Sequence, residues 1–293
     1  MRSVRSLLFV PGHKADWIVK ALHSDADGII IDLEDSVPSA TKADARTNAR
    51  DAIAAYRGDK AIVVRANGLA TEHFALDVQA TAIAGLDAYL LPMLEERDDV
   101  VGFDAVIAAG ELANGIPRAS IGVIASFETA RAIVNAEAIL AGPRVVGLMA
   151  AAAKDADIAR SVGFAWTSEG AETLYLRSRL LLAGKAAGLD VIVLGLWQDV
   201  KDLAGLRAFA EANAGLGYRG QVLIHPSHAP VVNEVYGLSA ADIDHYRRLI
   251  AAYRAGVAAG QGAVSFDGEH IDLAHAENAR ARLQAAGVPL TDS

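Results

Sequence analysis

Eight short apolar runs alternate along the chain with longer stretches in which apolar residues recur at helical spacing, such as 42–56 and 172–188. The runs are nearly continuous rather than alternating, which is typical of parallel strands covered on both faces. They are SLLFV (6–10), GIIID (28–32), AIVVR (61–65), AYLLP (88–92), IGVIA (121–125), VVGLM (145–149), DVIVL (190–194) and QVLIH (221–225). Because eight strand–helix units close a barrel, the pattern predicts an α/β fold of the (β/α)₈ TIM-barrel type.

The pattern changes beyond about Pro226. Two further helical patterns, at 240–260 and 273–287, flank the glycine-containing segment AVSFDGEHID (263–272). No proline-rich linker or low-complexity run separates these segments from the barrel. We therefore predict a TIM-barrel catalytic domain over residues 1–230 and a C-terminal helical extension over residues 231–293.

Composition and charge narrow the function classes. Of the 293 residues 53% are apolar, and the net charge is −9 without a Lys/Arg stripe, which argues against nucleic acid and anionic membranes as partners. The chain has no cysteine, so a disulfide framework, a thiolate metal site and a Cys nucleophile are excluded. The N-terminal apolar run is too short for a signal sequence, and the longest uncharged apolar stretch, 145–153, is about half a membrane span. These features predict a cytoplasmic protein.

Charged residues follow several of the runs, at the barrel mouth where active sites of this fold lie. The second run leads into Asp32-Leu33-Glu34-Asp35, and the third ends in Arg65. Arg65 either holds a substrate carboxylate or oxyanion or forms a salt bridge with one of these acids. Glu34 is predicted to face the mouth, whereas Asp35 or Ser36 could cap the next helix.

Glu128 and Asp155 follow the fifth and sixth runs, which should be adjacent strands about 5 Å apart. Two neighbouring carboxylates suit Mg²⁺, which takes one or two protein carboxylates and keeps positions for water and substrate oxygens. The alternative for each is an acid in the first turn of a helix. His225, the polar residue that ends the eighth run, is interpreted as a hydrogen-bonded scaffold residue.

Several longer motifs carry a resemblance to a known family. They are RSLLFVPG (5–12), DLEDSVPSATKADAR (32–46), VRANG (64–68), the pair Glu128-Thr129, SEGAETLYLRSRLLLAGKAAGL (168–189), LIHPS (223–227) and GAVSFDGEHIDLAHAENA (262–279). Together they resemble the citrate lyase beta-subunit-like family, in the aldolase/citrate lyase superfamily that also holds malyl-CoA and citramalyl-CoA lyases. DLEDSVP followed by K..AR is the most specific of these signals.

The resemblance implies a Mg²⁺-dependent carbon–carbon lyase that cleaves a β-hydroxy acyl-thioester, linked to CoA or to an acyl carrier, into an acetyl-thioester and a keto acid. By the resemblance, Glu128 and Asp155 would bind the metal. Arg65 would hold the keto-acid portion of the substrate, and the loop amides around Ala153 and Lys154 would contact the same anion.

The resemblance also implies a proton-transferring role for Asp272, which would join Arg65 and Glu34 as a catalytic residue. Its C-terminal segment would reach over the site of a neighbouring subunit, so a homo-oligomer, a trimer or hexamer, is expected. From the residues alone Asp272 would be an ordinary helix N-cap.

The chain departs from the family pattern at the mouth. Met93 stands where a lysine is usual, Ala152 to Asp155 replace Gly-Ala-Glu-Asp, and LGLWQD (194–199) follows the seventh strand. Two other functions therefore stay open beside the lyase. One is an acyl-CoA thioesterase of the same fold, and the other is a weakly active subunit that binds an acyl-carrier partner.

Overall fold

The computed structural model describes residues 4–150 and 152–290, and its first eight strands form a closed parallel barrel. Each strand pairs with the next along the chain, and the eighth pairs with the first. The strands are β1 Ser6–Pro11, β2 Gly28–Asp32, β3 Ala61–Arg65, β4 Ala88–Leu91, β5 Gly122–Phe127, β6 Val145–Ala150, β7 Val191–Leu194 and β8 Gly220–Leu223. The predicted TIM-barrel class is confirmed.

Helices follow the strands on the outside of the barrel. They are α1 Ala15–Leu22, α2 Lys42–Ala55, α3 His73–Thr81, α4 Arg97–Ala113, α5 Ala130–Val134, α6 Ala136–Leu140, α7 Asp157–Val162, α8 Leu174–Ala186, α9 Leu203–Leu216 and α10 Ala229–Tyr236. Short 3₁₀ turns cover Ser39–Thr41, Ala171–Thr173 and Pro226–His228. In the part of the chain that the structure describes, no helix combines the length and apolar character needed to cross a membrane.

Strand β2 shows why the strand runs are apolar throughout. Ile30 packs into the cluster that fills the barrel, whereas Ile29 and Ile31 belong to the cluster between barrel and helices. All three are at most 1% exposed. Burial of one such side chain contributes roughly 1.5–3 kcal/mol, so neither face of the strand tolerates a polar residue without a hydrogen-bond partner.

Two strands end two residues away from the predicted position. β5 extends to Phe127, because Ser126 and Phe127 are fully buried and continue the pairing with β6. β8 ends at Leu223, and Ile224 is already 38% exposed. His225 therefore lies beyond the strand, where its Nδ1 accepts a hydrogen bond from the Ser227 N–H and contacts the Ser227 hydroxyl. It serves as a local scaffold residue, as interpreted, but not on a strand.

The chain divides into two compact units, Met1–Tyr236 and Gly237–Ser293. The second unit contains α11 Ala240–Ala258, β9 Ala263–Phe266, β10 Glu269–Asp272 and α12 Leu273–Ala285. β9 and β10 form an antiparallel hairpin between the two predicted helices, within the glycine-containing segment 263–272. The turn is Asp267-Gly268, both with positive φ, as a type I′ hairpin turn requires.

Candidate active site

The last residues of β2 and β3 form the central ion pair at the mouth. The strands pair in register, which places Asp32 directly beside Arg65. Arg65 donates from Nε and Nη2 to the two carboxylate oxygens of Asp32, at 2.6 and 2.7 Å. Its third nitrogen, Nη1, lies 3.2 Å from Glu34 Oε2 and 3.5 Å from Asp35 Oδ2. Of the two interpretations of Arg65, the salt bridge to the DLED acids is present, and only the Nη1 edge faces away from Asp32.

Asp32 also shapes the loop that follows β2. Its carboxylate accepts hydrogen bonds from the Glu34 N–H, the Ser36 N–H and the Ser36 hydroxyl. Burial opposes its ionisation, but these hydrogen bonds and the charge of Arg65 hold the pKa of Asp32 below its usual value. The predicted capping role of Asp35 or Ser36 was wrong, because Ser36 bonds Asp32, Asp35 is 72% exposed and α2 begins only at Lys42.

Glu34 and Glu128 are the two carboxylates at the mouth whose ionisation the structure disfavours. The Glu34 side chain is only 17% exposed. Its burial, reinforced by the charges of Asp35, Glu128 and Asp32 and opposed by Arg65, raises the pKa of Glu34 to about 8. Glu128, directly after β5, is 8% exposed, and burial raises its pKa as well. The structure thus brings Arg65, Glu34 and Glu128 within electrostatic reach of one another.

Two groups that sequence reasoning missed hold the Glu128 carboxylate. Oε1 accepts a hydrogen bond of 2.8 Å from the Ser126 hydroxyl, and Oε2 accepts one of 3.1 Å from the Met93 N–H. Met93 has φ 53°, a left-handed conformation that is uncommon for a residue with a side chain. At this position the backbone amide contacts Glu128, so the loss of the family's lysine side chain does not remove that contact. The signal for Ser126 was a lone hydroxyl inside an apolar run.

The loop after β6 carries the remaining predicted residues. Ala153 is buried, whereas Lys154 and Asp155 are exposed, and Asp155 has φ 54°. The Lys154 carbonyl accepts a hydrogen bond of 2.9 Å from Gln198 Nε2, which joins this loop to the segment after β7. The charge of Asp157, the first residue of α7, adds to the rise in the pKa of Glu128. The metal-binding role of Asp155 and the substrate contacts of Ala153 and Lys154 stay predictions.

The donor set at the mouth fits a hard divalent cation. One guanidinium, Arg65, is shared by Asp32, Glu34 and Asp35, while Glu128 accepts its hydrogen bonds from neutral groups. When all four carboxylates are ionised, their negative charge exceeds the single positive charge of Arg65. Within residues 4–150 and 152–290 no three Asp, Glu or His side chains stand close enough to hold a metal by themselves. Mg²⁺ typically takes one or two protein carboxylates and fills its other positions with water or substrate.

Asp272 occupies the N-cap of α12 in the second unit. Its Oδ1 accepts hydrogen bonds from the Ala274 N–H at 3.0 Å and the His275 N–H at 3.4 Å, and it lies 2.7 Å from His275 Nδ1. The side-chain hydrogen bond with His275 holds the pKa of Asp272 below its usual value. The helix-cap interpretation is thus observed, and the proton-transferring role stays a prediction.

The chain is similar in sequence and structure to known proteins. The family model for HpcH/HpaI aldolase/citrate lyase matches residues 5–226. The chain is 34% identical over 286 residues to a (3S)-malyl-CoA thioesterase of Cereibacter sphaeroides, covering 96% of this chain and 94% of the relative. It is 31% identical to the citrate lyase subunit beta of Escherichia coli, covering 97% and 94%. The structure of Mycobacterium tuberculosis CitE with magnesium, acetoacetate and coenzyme A superposes with a TM-score of 0.77 at 32% identity, covering 97% and 98%.

Proposed function

This chain belongs to the HpcH/HpaI aldolase/citrate lyase family, as its sequence motifs predicted, and from that premise we propose that it is a Mg²⁺-dependent carbon–carbon lyase. The proposed substrate is a β-hydroxy acyl-thioester of the citryl-, malyl- or citramalyl-CoA type. Cleavage would yield an acetyl-thioester and a keto acid. The magnesium, acetoacetate and coenzyme A bound by M. tuberculosis CitE support this cofactor and substrate class.

The observation that carries the proposal is the joint placement of Arg65, Glu34 and Glu128. The Nη1 edge of Arg65 faces Glu34 at 3.2 Å, so a substrate carboxylate entering there would find a charged donor of fixed direction. Glu128, held by Ser126 and the Met93 N–H, would bind the metal together with Asp155. Bound Mg²⁺ would supply positive charge to the substrate oxygens on which negative charge develops.

The proposed reaction breaks one carbon–carbon bond by retro-Claisen chemistry. The substrate hydroxyl gives its proton to a carboxylate, and Glu34, beside Arg65, is the group that we assign to this step. The electron pair of the broken bond passes to the acetyl-thioester as an enolate, while the former hydroxyl carbon becomes the keto group. Asp272, in its acid form, would then protonate the enolate carbon.

A thioesterase is the second candidate function. It is favoured by the (3S)-malyl-CoA thioesterase of C. sphaeroides, which is 34% identical over 96% of this chain. In this reaction water attacks the thioester carbonyl and the carbon–sulfur bond breaks, so free CoA and an intact hydroxy acid are released. The same anion-binding edge of Arg65 would serve either reaction.

Product analysis separates the two functions. Citryl-, malyl- and citramalyl-CoA are each incubated with the protein, once with Mg²⁺ and once with EDTA, and the products are quantified by chromatography. A lyase releases acetyl-CoA and keto acid in equal amounts, and only with Mg²⁺. Free CoA with hydroxy acid and without acetyl-CoA would establish the thioesterase and overturn the lyase.

Glu128→Gln tests the metal-binding role of Glu128. The amide keeps the shape but lacks the charge of the carboxylate, so Mg²⁺ affinity should fall by about tenfold or more, equivalent to about 1.4 kcal/mol. The melting temperature should stay unchanged, and Glu211→Gln on the exposed surface of α9 is the matched control. Calorimetric titration measures the affinity. Unchanged Mg²⁺ binding with a lowered melting temperature would make Glu128 a structural residue.

A further inference from the structure

A buried ammonium group lies directly behind the DLED loop. Lys42, the first residue of α2, is 8% exposed. Its Nζ donates three hydrogen bonds, to the Leu33 carbonyl at 2.7 Å, the Glu34 carbonyl at 3.0 Å and Asn67 Oδ1 at 2.7 Å. These three neutral acceptors use the three N–H bonds of the ammonium. Lys42 therefore has no proton left for a substrate, and its contacts are with the frame of the site.

Asn67 extends this contact into a network between the loops after β2 and β3. Its Nδ2 donates to the Leu33 carbonyl at 2.9 Å and to Asp77 Oδ2 at 2.6 Å, and its backbone N–H also donates to Asp77. Asp77 Oδ1 accepts from Arg46 Nε at 2.7 Å. The Lys and Arg of the K..AR motif thus stand at the two ends of one chain of hydrogen bonds, the frame network Lys42–Asn67–Asp77–Arg46.

Hydrogen bonds fix both backbone groups of Glu34. Its N–H donates to Asp32, and its carbonyl accepts from Lys42 Nζ and from the Val37 N–H. The Leu33 N–H donates to the Arg65 carbonyl at 2.9 Å, which joins the same loop to the end of β3. With the backbone fixed at both strand ends, the side chains of Glu34 and Arg65 have defined starting points at the mouth.

Packing alone does not account for a charged group at this position. Burial of an ammonium costs several kcal/mol, and an apolar side chain of similar length would avoid that cost. The ammonium of a lysine, however, supplies three hydrogen-bond donors on one atom. The oxygens that converge here need such donors, and an apolar side chain has none. The charge also acts favourably on Asp32, Glu34 and Asp77 nearby.

We propose that Lys42 is a positioning residue of the active site, whose ammonium holds the Leu33, Glu34 and Asn67 oxygens so that Glu34 and Arg65 stand side by side for substrate binding. This inference rests on the proposed function for the substrate class. Glu128 is held separately, by Ser126 and the Met93 N–H, so the inference makes a selective prediction. Loss of Lys42 should impair the Arg65–Glu34 side of the site and spare the metal side.

Lys42→Met is the first test, since methionine keeps the length without the donors. We expect kcat to fall about tenfold to a hundredfold, because small misplacements of catalytic groups have effects of this size. Keto-acid binding with Mg²⁺, measured by calorimetry with pyruvate and oxaloacetate as probes, should weaken in parallel. Mg²⁺ affinity should change by less than about threefold. Lys20→Met, on the exposed surface of α1, is the control.

Chemical rescue separates positioning from folding. Because the chain has no cysteine, Lys42→Cys carries the sole thiol, which can be alkylated in the unfolded state before refolding. Bromoethylamine restores an ammonium at nearly the length of lysine, whereas iodoacetamide adds a neutral amide. We expect the ammonium form alone to recover kcat and keto-acid binding, with wild-type protein taken through the same steps as the refolding control.

The outcomes are distinct. Equal kcat and keto-acid affinity in Lys42→Met and wild type, or equal recovery with both alkylating reagents, would overturn the positioning role. If Lys42→Met lowered the melting temperature without changing kcat or keto-acid affinity, Lys42 would serve only the stability of the fold. If Lys42→Met does not fold, Asn67→Ser, which removes one acceptor of Nζ, must show the same split between keto-acid and Mg²⁺ binding. A wild-type protein that neither cleaves acyl-thioesters nor binds keto acids would instead overturn the proposed function.

Discussion

At the scale of single residues, the mouth of the barrel depends on how one guanidinium is divided among several acids. Arg65 gives two nitrogens to Asp32 and presents the third to Glu34 and Asp35. The first contact fixes the plane of the guanidinium, and the second leaves one donor directed toward the acids of the loop. A lysine, with its compact charge, could not divide its contacts in this way.

Lys154 is the residue-scale prediction. Its exposed ammonium lies next to Asp155 in the chain, so its positive charge should oppose Mg²⁺ binding there. We predict that it compensates by pairing with a substrate carboxylate or a CoA phosphate. Lys154→Glu should then tighten Mg²⁺ binding and raise KM for the thioester, as measured by calorimetry and steady-state kinetics. Lys20→Glu provides the same charge change on α1 as a control.

The opposite result at Lys154 would favour another function. If Lys154→Glu improved both Mg²⁺ affinity and KM, the lysine would be a defect of a weakened site. The hypothesis that the chain is a weakly active subunit that binds an acyl-carrier partner would then be favoured over the lyase hypothesis.

Sequence reasoning found the charged residues of the mouth but not all of their partners. It left Arg65 between a substrate contact and a salt bridge, because both need the same long cation at a strand end. The deciding observation is the register of β2 and β3, which places Asp32 beside Arg65 and which the lengths of the two runs do not determine. Sequence reasoning identified Lys42 only as part of the K..AR motif and did not predict its burial. Lysine is almost never buried, and the neighbouring residues give no sign that this one is.

At the scale of elements, an ionic cluster lies at the end of the barrel opposite the mouth. Arg144, just before β6, bonds Asp104 and Glu111 of α4 and the Ile121 carbonyl before β5. The Glu111 oxygens also accept hydrogen bonds from the Ala119 and Ile121 N–H groups, both at 2.9 Å. The cluster thus anchors α4 to the starts of two strands, away from the predicted chemistry.

Glu111→Gln is the element-scale prediction. Breaking a buried ion pair costs about 3–5 kcal/mol, so the melting temperature should fall clearly while kcat stays at the wild-type value. Burial opposes ionisation of Glu111, but Arg144 and the two backbone N–H groups hold its pKa below the usual 4.5. The folded state therefore binds fewer protons than the unfolded state below that pH. This stabilisation is present above about pH 4.5 and is lost as the pH falls through the lowered pKa.

The difference in melting temperature between wild type and Glu111→Gln should accordingly narrow on acidification below about pH 4, as followed by circular dichroism. Glu211→Gln, on an exposed helix surface, should show no such change with pH. A constant difference between wild type and Glu111→Gln across the acid range would mean that packing, not charge, stabilises this end of the barrel.

The barrel strands were predictable because burial on both faces leaves a strong apolar signal. Prediction failed where that signal was interrupted or short. The polar Ser126 interrupted the apolar run, so the predicted β5 stopped two residues early. The apolar Ile224 extended the predicted β8 beyond the actual end of the strand. The hairpin β9–β10 has strands of four residues between two long helices, and its Asp267-Gly268 turn was the signal that was overlooked.

At the scale of the whole molecule, the proposed metal ligand and the proposed proton donor belong to different compact units. Glu128 lies in Met1–Tyr236 and Asp272 in Gly237–Ser293. The family resemblance implies that the C-terminal segment covers a neighbouring subunit's site. A complete site would then need two copies of the chain, and the isolated polypeptide would be inactive.

Subunit mixing tests this prediction. Asp272→Asn, and Glu128→Gln assayed at a Mg²⁺ concentration too low to fill its weakened site, should each lose most of the activity, and co-expression of the two with different tags gives mixed oligomers. If neighbours complete each other's sites, about one quarter of the sites in a random mixture pair an intact Glu128 with an intact Asp272. Activity should recover to about that fraction of the wild-type value. Oligomeric state is measured in parallel by light scattering.

The control for the mixing experiment is the double variant on one chain, which should rescue neither single variant. No recovery in mixed oligomers whose composition has been verified would place Glu128 and Asp272 of one site on the same chain, or remove Asp272 from the chemistry.

The frame network has a consequence for how sequences of this kind are sorted by substrate. Three of its members, Lys42, Asn67 and Arg46, fall within the stretches DLEDSVPSATKADAR and VRANG. The Lys42 ammonium, the Asn67 amide and Arg46 Nε form hydrogen bonds with one another, with Asp77 or with the backbone. A search with those stretches therefore selects proteins that inherit the same scaffold. Selectivity among acyl groups must then depend on residues that follow other strands, such as Met93, Lys154 and Gln198. Two proteins with the same motif can therefore act on different substrates.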